Sequence, residues 1–146
     1  MKFLGVCLLA FCSVLFVAAP ASSQLLDPPK SELNREVSQD VRKAAVLKTL
    51  TERPKAVLVY ARGLCCPSCS IGVRKKVSPL AFVDRDQAES GVKIDAKNQL
   101  VVIAVKPGTP IDMKALSKAI DDAGYPPVNL YSMDNGKLVT KAFASN

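Results

Sequence analysis

The order of apolar patterns along the chain predicts an α/β protein of the α+β type, in which helices pack on a sheet. Short runs in which apolar residues fall on one or both faces of a strand occur at 57–61, 92–94, 99–105 and 128–132. Apolar residues recur every three or four positions at 71–80 and 111–123, which is typical of amphipathic helices. The central elements are therefore expected in the order strand, helix, two strands, helix, strand.

Residues 1–23 predict an export signal peptide. Lys2 precedes an apolar run at 3–19, and the small residues that follow place the cleavage after Ala21 or Ser23. The run is too short to predict a membrane span. We expect a periplasmic or secreted protein that loses Cys7 and Cys12 with the signal and keeps three cysteines, all in one short segment.

Residues 24–54 predict a helical extension in front of the first strand. Ser31 is the expected N-cap, and Arg53 and Pro54 are expected to end the helix. Its apolar stripe is predicted at three- and four-residue steps, on Leu33, Val37, Val41, Ala44 and Ala45.

The first strand is apolar on both faces, with Val57, Val59 and Ala61 on one side and Leu58 and Tyr60 on the other. An antiparallel sheet with one face in water normally alternates apolar with polar residues. The second face therefore needs a cover. We expect either the helix of residues 31–51 or a second copy of the chain, paired through this sheet face as a homodimer.

The last helix and strand carry clear end patterns. Thr109 is the predicted N-cap, with Pro110 at the first helical position and Asp112 three residues after the cap. Gly124 is the predicted left-handed end of the helix. The turn at 134–136 is expected to start an extra edge strand at 137–143. The complete order is that of a ferredoxin-like βαββαβ sandwich with an added N-terminal helix and a C-terminal edge strand.

Cys65, Cys66 and Cys69 follow the first strand directly and are the candidate functional residues. Thiolates are the side chains that soft metal ions prefer, and the chain contains no histidine that could replace them. A helix that begins at the second cysteine of Cys-x-x-Cys favours thiolate over thiol, because its N-terminus carries partial positive charge. Arg74, Lys75 and Lys76 are too distant to be ligands but are expected to add positive field. Taken alone, Cys-x-x-Cys is also typical of a disulfide or a redox pair.

A nucleic-acid partner is not expected. The net charge is +7, but aromatic residues make up only 5% of the chain and the basic residues are spread along it. An export signal also argues against such a partner.

The motif Gly63-Leu64-x-Cys66-x-x-Cys69, the helix after it and the turn 122–126 resemble the heavy-metal-associated (HMA) domain family, in particular its periplasmic mercury-binding proteins and copper chaperones. The resemblance covers residues 55–133 and leaves 134–146 as a C-terminal extension. It implies that Cys66 and Cys69 bind Hg(II) or Cu(I), and that Tyr125 packs beside them and shields the ion from water.

Two positions depart from the family, which usually carries Met and Thr where this chain has Leu64 and Cys65. Leu64 is a conservative anchor for the loop. Cys65 is either a third ligand, a thiol that pairs with a partner's thiol, or a reduced thiol without a role.

Two classes of function follow from the motif. The first is a non-enzymatic protein that sequesters a soft ion or transfers it by ligand exchange to a membrane metal transporter or another thiol-bearing acceptor. The alternative is a thiol-disulfide oxidoreductase that uses Cys66 and Cys69. Against the second class, no aromatic residue precedes the motif, and the order of strands and helices after it is not that of a thioredoxin. A catalyst that acts on polypeptides is disfavoured further, because no histidine is present to activate a thiol.

Overall fold

The computed structural model describes residues 36–66 and 68–144, without the side chains of Cys69 and Ser70. The predicted signal peptide, the Ser31 N-cap and the start of the helical extension lie outside these residues. Within them, the chain is a mixed α+β protein with three α-helices and a five-stranded antiparallel sheet. The helices and strands are α1 (Gln39–Glu52), β1 (Ala56–Ala61), α2 (Cys69–Val77), β2 (Val92–Asp95), β3 (Leu100–Ala104), α3 (Met113–Asp121), β4 (Pro127–Asp134) and β5 (Lys137–Ala142).

The strands lie in the order β2-β3-β1-β4-β5, and all neighbouring strands are antiparallel. The central strand is β1, in which Leu58 pairs with Val102 of β3 and with Tyr131 of β4. The connection through α2 passes over β3, and the connection through α3 passes over β1, so two β-α-β units interlock. The loops that follow β1 and α3 consequently meet at one end of the sheet.

The predicted edge strand β5 is confirmed. A two-residue turn joins it to β4, and both turn residues, Asn135 and Gly136, have positive φ, of 47° and 76°. This is the turn geometry that matches the twist of a two-stranded hairpin. Asn-Gly adopts it at little cost, which is why the sequence predicts this hairpin correctly.

One face of the sheet packs on α2 and α3 and forms the larger core. Val57, Val59 and Ala61 point to this face, as their alternation predicts. Val73 and Val77 of α2 are fully buried there. From α3, the buried residues are Leu116, Ala119 and Ile120.

The opposite face packs on α1. Val46 and Leu50 of α1 are fully buried against a cluster that includes Leu58, Tyr60 and Tyr131. Full burial of an aliphatic side chain of this size contributes about 1.5–3 kcal/mol. The expectation that the N-terminal helix covers the second face is therefore confirmed. The other expected occupant, a second copy of the chain, would have to displace α1 or pack on its outer surface.

The helix predicted over residues 31–51 is not continuous within the described residues, and of its predicted stripe Ala45 packs on the sheet whereas Val41 and Ala44 are exposed. Residues 36–38 are not helical, and the helix begins at Gln39. The buried stripe is Arg42, Val46 and Leu50, whereas Val41 is 53% exposed. The guanidinium carbon of Arg42 lies 3.3 Å from the centroid of the Tyr60 ring, and this contact turns a charged position toward the sheet.

Two further expectations are corrected. Asp112, not Thr109, is the N-cap of α3, because its Oδ1 accepts hydrogen bonds from the backbone N–H groups of Lys114 (3.0 Å) and Ala115 (2.9 Å). Ile71, expected in the core, is 69% exposed in the first turn of α2, because that helix turns Val73 and Val77 toward the sheet.

The connection at 80–91 is held firmly against the sheet. Val83 forms a β-bridge with Val105, and the Asp84 N–H donates to the Ala104 carbonyl at 2.9 Å. Gly91 has φ +77°, and a Cβ at this position would lie 2.3 Å from the Asp84 carbonyl oxygen. The close approach of these two backbone segments therefore requires glycine.

Candidate metal centre

The cysteine segment is the loop between β1 and α2. After Ala61 the chain turns through Gly63, whose φ is +78°, and reaches α2 at Cys69. Cys65 and Cys66 are half-buried, and Cys69 is the first residue of the helix. The predicted strand-loop-helix setting of the three cysteines is what the structure has.

Leu64 anchors this loop to the protein core. Its side chain is fully buried in the cluster that contains Val73 and Val77 of α2. Cys66 packs against the same cluster at its half-buried edge. A Leu side chain makes many close contacts in such a core, so the loop leaves the sheet in a defined direction.

The turn that carries Tyr125 lies next to the cysteine loop. The Gly124 N–H donates to the Asp121 carbonyl at 2.7 Å, and the Tyr125 N–H donates to the Ile120 carbonyl at 3.3 Å. With φ +90° at Gly124, these two bonds form the helix-ending motif that the sequence predicts. Directly after it, the Pro126 carbonyl accepts a hydrogen bond from the Arg62 N–H at 3.0 Å.

The structure thus brings the two predicted parts of the site to one end of the sheet. Tyr125 is half-buried and packs against the same core cluster as Cys66 and Leu64. The Arg62–Pro126 hydrogen bond ties the two loops together at their bases. The turn that carries Tyr125 and the cysteine loop therefore lie at the same end of the same core.

Cys66 is disulfide-bonded in this structure. A disulfide sulfur is not a thiolate, and the thiolate is the form that binds a metal ion. The loop is therefore in an oxidised form, and the disulfide has to be reduced before Cys66 can bind a metal ion. Among the described side chains, no three Cys, Asp or Glu residues are grouped to hold a metal ion, and the Cys69 side chain lies outside that set.

The N-terminus of α2 points its positive end toward the loop without a neutralising group. Ser68 has helical φ and ψ and its side chain does not cap the helix, and no acidic residue lies in the first turn. Unpaired N–H groups at such an end favour a neighbouring thiolate.

The basic side chains that were expected to add a positive field lie at the far end of α2 from the cysteines. Arg74, Lys75 and Lys76 are in its last turn. Arg74 is ion-paired with Glu89, and its Nε donates to the Val92 carbonyl at 3.1 Å. The helix end is therefore the nearer source of positive potential.

Sequence reasoning missed a polar cluster on the opposite face of the sheet, directly behind the loop. The Tyr60 hydroxyl donates to Glu36, and the Arg42 guanidinium stacks on the Tyr60 ring and donates to the Val37 carbonyl at 2.7 Å. The Val37 N–H in turn donates to Oε1 of the buried Gln99 at 3.2 Å. Burial and the hydrogen bond to Glu36 raise the pKa of Tyr60. The four-residue spacing of Arg42, Val46 and Leu50 is the sequence pattern that could have predicted the buried side of α1. It was missed because its first position is an arginine, which is not expected in an apolar stripe.

Comparisons with protein-family models, with curated proteins and with solved structures each find no match for this chain. Across the described segments, none of the helices has the length and apolar character needed to cross a membrane.

Proposed function

We propose that this chain is an exported, ferredoxin-like protein of the HMA type that binds a soft metal ion. The ion is Hg(II) or Cu(I), and Cys66 and Cys69 are its ligands in the reduced protein. The protein sequesters the ion or hands it to a thiol-bearing acceptor, such as a membrane metal transporter, by exchange of one thiolate for another. No bond of an organic substrate is made or broken.

The observation that carries this proposal is the position of the cysteine pair. Cys66 lies in a loop anchored by buried Leu64, and Cys69 begins a nine-residue helix whose N-terminus has no acidic neighbour in its first turn. This setting favours thiolates, and two thiolates suit soft ions of low coordination number. The interlocked order β2-β3-β1-β4, with the loops of β1 and α3 at one end, is the arrangement expected of a ferredoxin-like core.

Tyr125 and Leu64 act around the ion rather than on it. A phenol oxygen is a hard ligand and a poor partner for a soft ion. Packed against the same cluster as Cys66, the two side chains limit access of water to the loop. Cys65 is either a third ligand or a thiol outside the coordination sphere, and the experiment below decides between these.

The test is a competition titration of the reduced chain, with residues 1–23 removed, against Hg(II) and Cu(I) in the absence of oxygen. We expect one equivalent to bind. Cys66→Ser and Cys69→Ser should each weaken binding by more than about 100-fold, beyond the 10–100-fold cost of losing an outer-sphere partner. The matched control is Ser68→Ala, which changes a neighbouring exposed residue and should leave affinity unchanged.

The Cys65→Ser variant distinguishes two forms of the site. Weaker binding together with a changed charge-transfer spectrum would make Cys65 a ligand of a three-coordinate ion. Unchanged binding would leave Cys66 and Cys69 as the complete ligand set. If the reduced chain bound neither metal ion, the proposal would be wrong.

The disulfide at Cys66 favours a second candidate function, that of a thiol-disulfide oxidoreductase. In that case the reduced pair would transfer two electrons to a substrate disulfide, which becomes two thiols while the pair becomes a disulfide. Catalytic reduction of a test disulfide, lost in Cys66→Ser, by a chain that binds no soft metal ion would select this candidate.

A further inference from the structure

A second feature able to hold a ligand lies at the other end of the sheet from the cysteines. It is a cavity of about 600 Å³ between the α1–β1 connection, the segment 84–91 and the edge of β2 and β3. Ala56 lines it and is the first residue of β1, whereas the cysteine loop follows the last. Six residues of strand separate the two places by about 20 Å. The cavity is therefore independent of the proposed metal site.

The floor of the cavity is apolar. Its lining includes Ala56 and Val102, from the face of the sheet that packs on α1, together with Ala104 at the end of β3 and Val105 directly after it. The volume falls within the 300–1,000 Å³ range of small-molecule sites, which are mostly apolar with a few polar groups.

The wall of the cavity is preformed. The Asp84 N–H donates to the Ala104 carbonyl at 2.9 Å, and Gly91 packs directly on the Asp84 carbonyl. Both residues line the cavity. A ligand would therefore meet a shape that the backbone already holds, which lowers the entropy cost of binding.

The rim of the cavity is positively charged. Arg53, Lys55 and Lys93 line it, and none of the three forms an ion pair within the part of the chain that the structure describes. Asp84 is the acidic residue of the lining, and its carboxylate accepts hydrogen bonds from the Asp86 N–H (3.3 Å) and the Gln87 amide (3.2 Å). The lining thus carries more positive than negative charge above an apolar floor.

We propose that this cavity binds a small amphipathic anion, with its apolar body on the floor and its carboxylate or phosphate group at Arg53, Lys55 and Lys93. The apolar area supplies non-directional affinity, and the three cations select the sign of the head group. This ligand is distinct from the metal ion, and its binding does not require any cysteine.

The test is a titration of the isotope-labelled chain, with residues 1–23 removed, followed by backbone amide NMR. Octanoate and octyl phosphate serve as probes below their aggregation concentrations, with octanol and octyltrimethylammonium as neutral and cationic controls. We expect the backbone amide chemical shifts of residues 53–56, 84–91 and 102–105 to change and to saturate when either anion is added. The neutral and cationic compounds should not produce this change. The two anions show which head group is preferred. Co-sedimentation with phosphatidylglycerol vesicles shows whether the source is a membrane lipid or a free molecule.

Exposed lysines provide variants that should fold normally. Lys55→Gln and Lys93→Gln should each weaken anion binding up to about fivefold, the upper range for an exposed ion pair. The matched control Lys97→Gln removes an exposed lysine that does not line the cavity and should have no effect. Ala104→Leu should reduce the affinity for octanoate and for octyl phosphate alike, because the larger side chain fills the floor of the cavity.

Three results would overturn the proposal. The first is binding of octyltrimethylammonium as tight as that of the anions. The second is chemical-shift changes that do not saturate, and the third is a loss of anion affinity in Lys97→Gln as large as in Lys55→Gln.

Discussion

The two faces of the sheet are covered by different kinds of contact. The face toward α2 and α3 is a continuous apolar cluster that includes Leu64 and reaches the cysteine loop through Cys66. The face toward α1 has two kinds of contact. Val46 and Leu50 make apolar contacts with the sheet, and Arg42, Tyr60 and Glu36 form a polar cluster beside them.

This difference shows what each cover does. Apolar packing is non-directional and holds the strands, α2 and α3 together as a platform for the loop. The polar cluster is directional, because stacking on Tyr60 and the hydrogen bond to the Val37 carbonyl require one orientation of Arg42. We infer that it sets the rotation of α1 on the sheet. Such burial has a cost, since Nε of Arg42 finds no hydrogen-bond acceptor among the described residues.

The largest expected effect comes from truncating one fully buried leucine on each face. Leu116→Ala and Leu50→Ala should each lower the free energy of unfolding by about 2–5 kcal/mol, the usual cost of a leucine-sized cavity. The pattern of hydrogen exchange should differ. Leu116→Ala should lower protection in all strands together, whereas Leu50→Ala should lower it first in α1, which can detach by local opening.

Urea unfolding gives the size of each effect, and native-state hydrogen exchange gives its distribution. Leu47→Ala is the control, because this leucine of α1 is 44% exposed and its loss should change stability little. Equal loss of protection in every strand for Leu50→Ala would mean that the two faces form one cooperative unit.

A medium effect is expected from the polar cluster. Arg42→Ala should cost about 2 kcal/mol, because it removes a buried cation–π contact and a charged hydrogen bond. Arg42→Met keeps the packing of the stem and should cost less, since replacing a buried ion with an apolar residue of similar volume is often neutral. Exposed Lys43→Ala serves as the control and should stay within about 0.5 kcal/mol.

Chemical denaturation of these three variants checks the prediction. If Arg42→Met were as destabilising as Arg42→Ala, the charge of the guanidinium rather than the packing of its stem would hold α1. If neither changed stability, α1 would be held by Val46 and Leu50 alone.

The predictable part of the fold rests on local patterns. The alternation in β1, the Asn135-Gly136 hairpin and the helix end at Gly124 each have one favoured backbone geometry, and all three are confirmed. The need for a cover on the second face also followed from residue type alone. The setting of Cys65, Cys66 and Cys69 between strand and helix could be predicted in the same way.

The remainder depends on contacts that are distant in sequence. Arg42 was not predicted in the core, because its burial depends on the Tyr60 ring, which the fold brings beside it, and on the Val37 carbonyl. Thr109 and Asp112 are both good capping residues. The helix begins at Met113, where the Asp112 carboxylate accepts hydrogen bonds from the N–H groups of Lys114 and Ala115. The Cys-x-x-Cys spacing is typical of a disulfide as well as of a metal-binding pair, so it allows both forms of Cys66 and does not decide between them.

The smallest expected effect is a pH dependence confined to the α1 face. Burial and donation to Glu36 raise the pKa of Tyr60 above its unfolded value of 10.0. A raised pKa means that the folded state holds the proton more tightly than the unfolded state. This contribution to stability is therefore complete below pH 10 and is lost as the pH rises through the folded pKa.

Tyr60→Phe isolates this effect from the titration of lysines, which is common to both proteins. The variant lacks the hydrogen bond to Glu36 and should be less stable by about 1 kcal/mol near neutral pH. The difference between the urea midpoints of the two proteins, measured from about pH 8 upward through the ordinary tyrosine pKa, should be constant below pH 10 and shrink as the pH rises above it. A constant difference across this range would mean that Tyr60 ionises equally in both states. The polar cluster would then orient α1 through Arg42 without help from the tyrosine proton.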